Sequence, residues 1–180
     1  TTNQDETIGA VTFGDDDIVR VSPTATAGVY DSAVIVFDGG THFANANEDV
    51  DAVYQRADGN IILSTIGTAR LPRCGGGNLN FQDDDLVEWD TDSNCASFFL
   101  DTSAAAGGDL IPNGATGDED INGVHLLNDD PNLILFTLTN NNTIRGTAVL
   151  DGDVVLYNVA ADAATIYFSE SNFTADEDVS

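Results

Sequence analysis

Asp15-Asp16-Asp17-Ile18-Val19-Arg20-Val21 returns as Asp83-Asp84-Asp85-Leu86-Val87-Glu88-Trp89 and as Asp151-Gly152-Asp153-Val154-Val155-Leu156-Tyr157, each copy 68 residues after the last. Self-similarity at a fixed period marks a fold built from copied supersecondary units. Each copy is an acidic turn running into an apolar, β-branched stretch with the two-residue alternation of a strand. Further out, Glu48-Asp49-Val50-Asp51-Ala52-Val53 is echoed by Glu119-Asp120-Ile121-Asn122-Gly123-Val124 and begins again at Glu177-Asp178-Val179-Ser180. Near the amino terminus, Glu6-Thr7-Ile8-Gly9-Ala10-Val11 fits the looser pattern E-x-[IV]-x-[AG]-V and runs on through Phe13 into the first aspartate cluster.

These landmarks predict about four strands per repeat. The aspartate strand is followed by a turn and a second apolar run (Ala33 to Phe37, Ala96 to Leu100, Thr165 to Phe168). The E-D-V motif opens a third strand, and a turn at Asp58-Gly59-Asn60 or Asn128 to Pro131 leads to a fourth, Ile61 to Thr65 or Leu133 to Leu138. No segment sustains a helical period, so the expected fold is all-β, antiparallel meander repeats with very little helix. The expected organisation is one domain over residues 1–180: an N-terminal strand in 1–13, repeats in 14–81 and 82–149, and a partial repeat in 150–180.

The chain carries 31 acidic against 5 basic residues, a net charge of -26, and every basic residue is an arginine. That balance excludes nucleic acid and anionic membrane surfaces as natural partners and points to cations. No apolar run approaches the ~18 residues of a membrane helix, so no membrane insertion is expected. Cys74 and Cys95, the only cysteines, lack the four-ligand spacing of a zinc site, and a disulfide in an oxidising compartment is the expectation. Asn141-Asn142-Thr143 and Asn172-Phe173-Thr174 are acceptor sequons for N-glycans.

The acidic motifs are the candidate chemistry. Alternate residues of a strand point to one side, so Asp15 with Asp17, Asp83 with Asp85, and Asp151 with Asp153 can act in pairs. If the aspartate strand and the E-D-V strand begin at the same end of a sheet, Glu48, Asp49 and Asp51 join the first pair, Glu119 and Asp120 the second, Glu177 and Asp178 the third. Oxygen-rich groups of this kind suit Ca²⁺. The competing explanation is turn chemistry, in which Asp and Asn side chains bond to nearby backbone amides. Nucleophile elbows, zinc-protease motifs and phosphate loops are absent, and no catalytic residue is assigned. Trp89, Tyr30, Tyr54, Tyr157 and Tyr167 are candidates for a sugar platform or for core packing.

The pairing of D-[DE]-D-[ILV]-[LV] with E-D-[IV]-[DN]-[AG]-V, followed by a turn and Ile61-Ile62-Leu63-Ser64-Thr65, resembles the Asp-rich tandem β-repeats of large surface proteins of bacteria and archaea. The resemblance implies propeller-blade-like units on an exported protein, extracellular or at the cell surface. Because the motif copies at the two ends are out of phase, the N-terminal strand (Glu6, Ile8, Ala10, Val11, Phe13) is expected to fill a place left at the other end, within the chain or in a neighbour. The expected function is a structural subunit of a pilus-like filament, a homopolymer built head-to-tail by strand donation and stabilised by Ca²⁺. The alternative is a calcium-dependent adhesin or carbohydrate-binding module of a longer surface protein, with glycans as partners.

Overall fold

The computed structural model describes residues 6–26, 29–44, 48–102, 110 and 120–172. In chain order the strands are β1 (Glu6–Ile8), β2 (Val11–Phe13), β3 (Ile18–Pro23) and β4 (Tyr30–Phe37), then, after the short helix α1 (Gly39–His42), β5 (Val50–Gln55), β6 (Ile61–Thr65), β7 (Ala69–Pro72), β8 (Asn78–Phe81), β9 (Leu86–Asp90) and β10 (Cys95–Leu100). They continue as β11 (Ile121–Leu126), β12 (Leu133–Leu138), β13 (Asn142–Ile144), β14 (Thr147–Val149), β15 (Val154–Asn158) and β16 (Ala163–Phe168). The fold is all-β and antiparallel, as the alternation predicts, with no closed barrel.

Two four-stranded sheets dominate. Sheet I has the order β5-β6-β9-β10 and sheet II the order β11-β12-β15-β16. The hairpins β7-β8 and β13-β14 interrupt each sheet between its second and third strands in sequence, and the ribbon β3-β4 precedes sheet I, with the hairpin β1-β2 ahead of it. Each sheet has the four strands expected of a repeat, but each repeat carries six, because the short hairpin β7-β8 or β13-β14 adds two, and the phase differs as well. The repeat drawn over 14–81 supplies β5 and β6, whereas β9 and β10 of the same sheet come from 82–149. A boundary at the aspartate cluster therefore cuts each sheet in half. The stretch around Leu71 to Asn78, legible only as loop, is the hairpin β7-β8.

The two sheets share one register. Ile61, Ile62 and Leu63 pair with Trp89, Glu88 and Val87; Ile134, Leu135 and Phe136 pair with Tyr157, Leu156 and Val155. These pairs set up residue-by-residue equivalence, in which Val19 and Val21 of β3 correspond to Val87 and Trp89 of β9 and to Val155 and Tyr157 of β15. The same alignment makes β1-β2 the counterpart of β7-β8 and β13-β14, because Phe13, Phe81 and Val149 each end the hairpin before the acidic turn. Glu6 to Phe13 is thus two arms of a hairpin, with Glu6 opposite Phe13 and Ile8 opposite Val11, rather than one E-D-V-type strand. Gly9 at φ +63° lets the chain reverse there, and so the E-x-[IV]-x-[AG]-V match is a coincidence of short patterns.

Packing repeats as the pairing does. Ile18 and Phe37 of the ribbon lie in one core with Val50, Ile61, Leu63, Val87 and Trp89 of sheet I. On the opposite face of sheet I, Ala52, Ile62, Leu86 and Leu100 lie in a second core with Ile121, Ile134, Phe136, Val155 and Tyr157 of sheet II. Every residue of β6 is buried because both faces of its sheet are covered. Ala69, Leu71, Leu79 and Phe81 close the first core from β7-β8, and Ile144 and Val149 close the second from β13-β14. The latter hairpin turns on Arg145 (φ 47°) and Gly146 (φ 82°), two consecutive left-handed residues as a tight two-residue loop requires. Trp89 and Tyr157 are core residues, 1% and 3% exposed, and Trp89 meets Phe37 edge to face at 5.1 Å, which removes both from any sugar platform.

Cys74 at the β7-β8 tip is disulfide-bonded to Cys95 at the start of β10, as the sequence predicts. Three consecutive left-handed glycines, Gly75 to Gly77, bring the tip round, and the Cys74 amide donates to the Ala96 carbonyl at 2.9 Å. Among the described residues no helix is long and apolar enough to cross a membrane. Replacing both cysteines by alanine is expected to lower unfolding stability by about 3 kcal/mol from the loss of loop constraint, measured by urea denaturation of the oxidised wild type and the double variant; equal midpoints would refute it.

Candidate functional site: the acidic seams

The aspartate at the third position of each cluster has one structural job, done three times. Asp17 accepts the amide of Gly14 at Oδ2 and that of Gly39 at Oδ1, both at 2.9 Å. Asp85 accepts Gln82 at Oδ2 (3.0 Å) and Thr102 at Oδ1 (2.9 Å), and Asp153 accepts Leu150 at Oδ2 (3.0 Å) and Glu170 at Oδ1 (2.9 Å). One bond closes the turn entering a strand; the other ties that turn to the residue leaving the partner strand. Two charge-assisted bonds to backbone amides in a buried setting are strong, and they occupy both oxygens. Turn chemistry therefore accounts for the most regular aspartate in the chain.

The middle position varies. A side chain on Gly39 would run into the backbone of Asp16, so glycine is required where the ribbon folds over its own acidic turn. Asp84 is buried and accepts the Thr102 hydroxyl at 2.7 Å. Burial pushes its carboxyl up to about 6 against the opposing pull of that hydroxyl. The first acid contributes its backbone: the Asp15 carbonyl accepts the Val50 amide at 3.4 Å and the Asp83 carbonyl accepts Ile121 at 3.1 Å. The first two acidic turns are thereby bonded to the E-D-V strand of the next sheet, so the two motifs meet across neighbouring sheets and not, as the sequence suggests, at one end of a single sheet.

Carboxylates converge at these seams. Burial and the nearby Asp15 raise the pKa of Asp49. At the junction of sheets I and II, Asp51 faces Asp120 with both of its oxygens buried. Burial first, and then Asp120, push Asp51 up to about 8, so one proton is held by the pair at neutral pH. Asn122 stands at the position of Asp51 in the second motif, and its Oδ1 accepts the Thr137 hydroxyl at 2.6 Å. Ser64, the counterpart of Thr137, instead donates to the carbonyls of Asp83 and Asp85, which leaves Asp51 without that partner.

Glu48 is buried beside the first seam, and Asp151 donates its amide to Asn141 Oδ1 at 2.9 Å while its own Oδ1 accepts Gly152. Glu119, Glu177 and Asp178 lie outside the described residues. Among the described residues no group of three or more His, Cys, Asp or Glu side chains is arranged to hold a metal ion. Asn141 and Asn172 are exposed, with Asn172 Nδ2 donating to the Ser169 carbonyl at 2.8 Å. Sequence reasoning did not single out Thr102 or the Asp51–Asp120 pair. Thr102 carries no motif, and the pair joins different positions of different copies; the one visible signal was the Asp51-to-Asn122 difference.

A second tie crosses the same junction. Arg56 donates from Nη1 to Glu88 at 2.6 Å, with Nε 3.9 Å from Asp129 in the turn between β11 and β12, and Asp129 also accepts the Tyr54 hydroxyl and the Ala57 amide, each at 3.3 Å. Comparison with family models, curated proteins and solved structures returns no match.

Two predictions follow from these carboxyls. Asp85→Ala strands two amides and is expected to cost about 3 kcal/mol or more, while Asp85→Asn, which keeps one acceptor, costs less; urea unfolding of both orders them. Asp51 has a folded pKa of about 8 against an ordinary 3.8. The folded state then binds more protons than the unfolded chain between those values, so stability falls as pH rises through that window, by at most about 1.4 kcal/mol per unit. Asp51→Asn is expected to flatten this slope and to raise stability at pH 7 by about 1–3 kcal/mol, read from unfolding curves at pH 5, 6.5 and 8.

Proposed function

We propose that this chain is a structural subunit of an extracellular filament, in which copies join head-to-tail by continuing the sheet-on-sheet packing already used twice within the molecule and by β-strand addition. One observation carries the reading: Ile18 and Phe37 of the ribbon pack on sheet I as their counterparts Leu86 and Leu100 of sheet I pack on sheet II, so one mode of stacking is used twice within the chain. On sheet II the outer face carries a groove of about 240 Å³ lined by Gly123, His125, Leu135 and Val154, with Leu135 only 9% exposed at its floor. These are the counterparts of Ala52, Tyr54, Ile62 and Leu86, the residues of sheet I that face sheet II. At the other end, Val19 and Val21 are only partly buried where their counterparts Val87 and Trp89 are fully so.

A contact between two different surfaces is heterologous, and unless its rotation closes it propagates as an open array. A strongly acidic exterior keeps such an array dispersed, the disulfide fits an oxidising exterior, and the exposed sequon at Asn141 fits a glycosylated one. In this reading Ca²⁺ relieves the carboxylate pairs at the seams and stiffens the array.

Negative-stain electron microscopy of the purified protein tests this. Filaments are expected for the wild type, shorter ones after chelation of calcium, and none for Leu135→Lys, which places a charge in the groove of sheet II. Wild-type protein that stays monomeric at high concentration, or Leu135→Lys filaments of normal length, would overturn the filament; indifference to chelation would remove calcium from it.

A further inference from the structure

The hairpin β7-β8 departs from its two sister copies. Ile8 pairs with Val11 and Ile144 with Thr147, so β1-β2 reverses at Gly9-Ala10 and β13-β14 at Arg145-Gly146. In β7-β8 the pairing ends at Pro72 with Asn78, and a longer tip runs from Arg73 to Gly77. An insertion confined to one copy of a repeat is a common mark of a binding face. Charge departs as well. Residues 59–82 hold no Asp or Glu, the longest such stretch in the chain, and they hold Arg70 and Arg73, two of its 5 basic residues. Arg56 and Arg145 are each paired with an acid of their own chain at 2.6 Å, whereas Arg70 and Arg73 make no ion pair among the described residues. Arg70 stands opposite Asn80 where the sister hairpins carry Thr7 with Thr12 and Thr143 with Ala148.

Leu71 and Leu79 turn into the first core, so the alternate residues Arg70, Pro72, Asn78 and Asn80 form the outer face of the hairpin. Asn78 and Asn80 are exposed, and Arg70 is half-buried, with its Nε enclosed and without an acceptor. Arg73 lies exposed at the rim, roughly 10 Å of strand from Arg70. The tip is tied down: the Arg73 amide donates to the Gly77 carbonyl at 3.0 Å, the Cys74 amide donates to Ala96 at 2.9 Å, and the disulfide joins it to β10. A face fixed before its ligand arrives loses less entropy on binding.

We propose that the outer face of β7-β8 is a binding site for an acidic oligosaccharide, a short chain of uronic-acid sugars, with Arg70 taking a carboxylate and Asn78 and Asn80 taking ring hydroxyls. The site stands independently of any assembly of the chain. A guanidinium donates through a planar fork that matches a carboxylate, and a side-chain amide both donates and accepts, as a hydroxyl does. One arginine between two amides therefore matches a ligand that carries both groups; a ligand of carboxylates alone would be better met by further arginines. The separation of Arg73 from Arg70 asks for a second carboxylate farther along the same chain, which a single sugar lacks. A face four side chains wide is far below the ~800 Å² per partner of a stable protein interface. At ~0.15 M salt the Debye length is ~8 Å, so acids elsewhere on the molecule are largely screened and the local, acid-free surroundings decide the sign of the field.

Fluorescence anisotropy on the intact, oxidised protein tests the assignment, with a chelator present so that calcium cannot bridge acids of the protein and the probe. The probes are labelled hexagalacturonate, maltohexaose as a neutral oligosaccharide, and hexaglutamate as an acidic peptide. Saturable binding of hexagalacturonate that weakens with added salt is expected, with the other two probes about tenfold weaker or more. Arg70→Gln, and Arg70→Lys, which keeps the charge but loses the fork, are each expected to weaken hexagalacturonate about tenfold, while Arg20→Gln leaves it unchanged. Should Arg70→Gln fail to fold, Arg70→Lys and Asn80→Ala carry the comparison. No saturable binding of hexagalacturonate, or binding that the Arg70 and Asn80 variants leave intact, would overturn the site. Hexaglutamate bound as tightly would overturn the sugar assignment in favour of an acidic peptide, a second copy of this chain included, and maltohexaose bound as tightly would remove the role of charge.

Discussion

The fold depends on a carboxylate that accepts two backbone amides. Asp17, Asp85 and Asp153 each fix the start of one strand to the end of its partner, at a place where a hairpin would otherwise splay open. With the turn locked, the first acid of the cluster presents its carbonyl to the E-D-V strand of the following sheet, and the sheets stack in one orientation. Side-chain packing then follows: Leu86 and Leu100 can fill the second core only because the turn before β9 is held in register with the end of β10. A side chain costly to bury as an ion is tolerated because each of its oxygens accepts a backbone amide.

Strand identity was legible in the sequence because alternation and acidic turns are local signals. The runs Ile18 to Val21 and Leu86 to Trp89 read as strands and are strands. Sheet membership was not legible, since it depends on which hairpin lies beside which. The aspartate cluster is the most conspicuous motif and so looks like a beginning, whereas in space it marks the middle of a sheet. The short hairpins escaped notice for a related reason: Ala69–Pro72 and Asn78–Phe81 are four residues each, too short for a periodic signal, and a run of glycines between them reads as loop.

The site was legible in part. The sequence suggested that the two acidic motifs meet if their strands begin at one end of a sheet; Asp15 does meet Asp49, but across neighbouring sheets. What distinguishes a turn lock from a cation ligand is whether amide donors already occupy the oxygens, a property of backbone geometry that residue type does not encode. Asp17 and Asp51 look alike on the page; one accepts two amides, and the other faces a second carboxylate.

The disulfide has a consequence for the integrity of the chain. Gly75 to Gly77 form an exposed tip between β7 and β8, the kind of segment that proteases cut. A cut there falls between β6 and β9 and would separate the two halves of sheet I along the backbone. Cys74 lies on one side of that cut and Cys95 on the other, so the sulfur bridge keeps the nicked halves covalently joined. A clipped molecule would still migrate as one species until reduced.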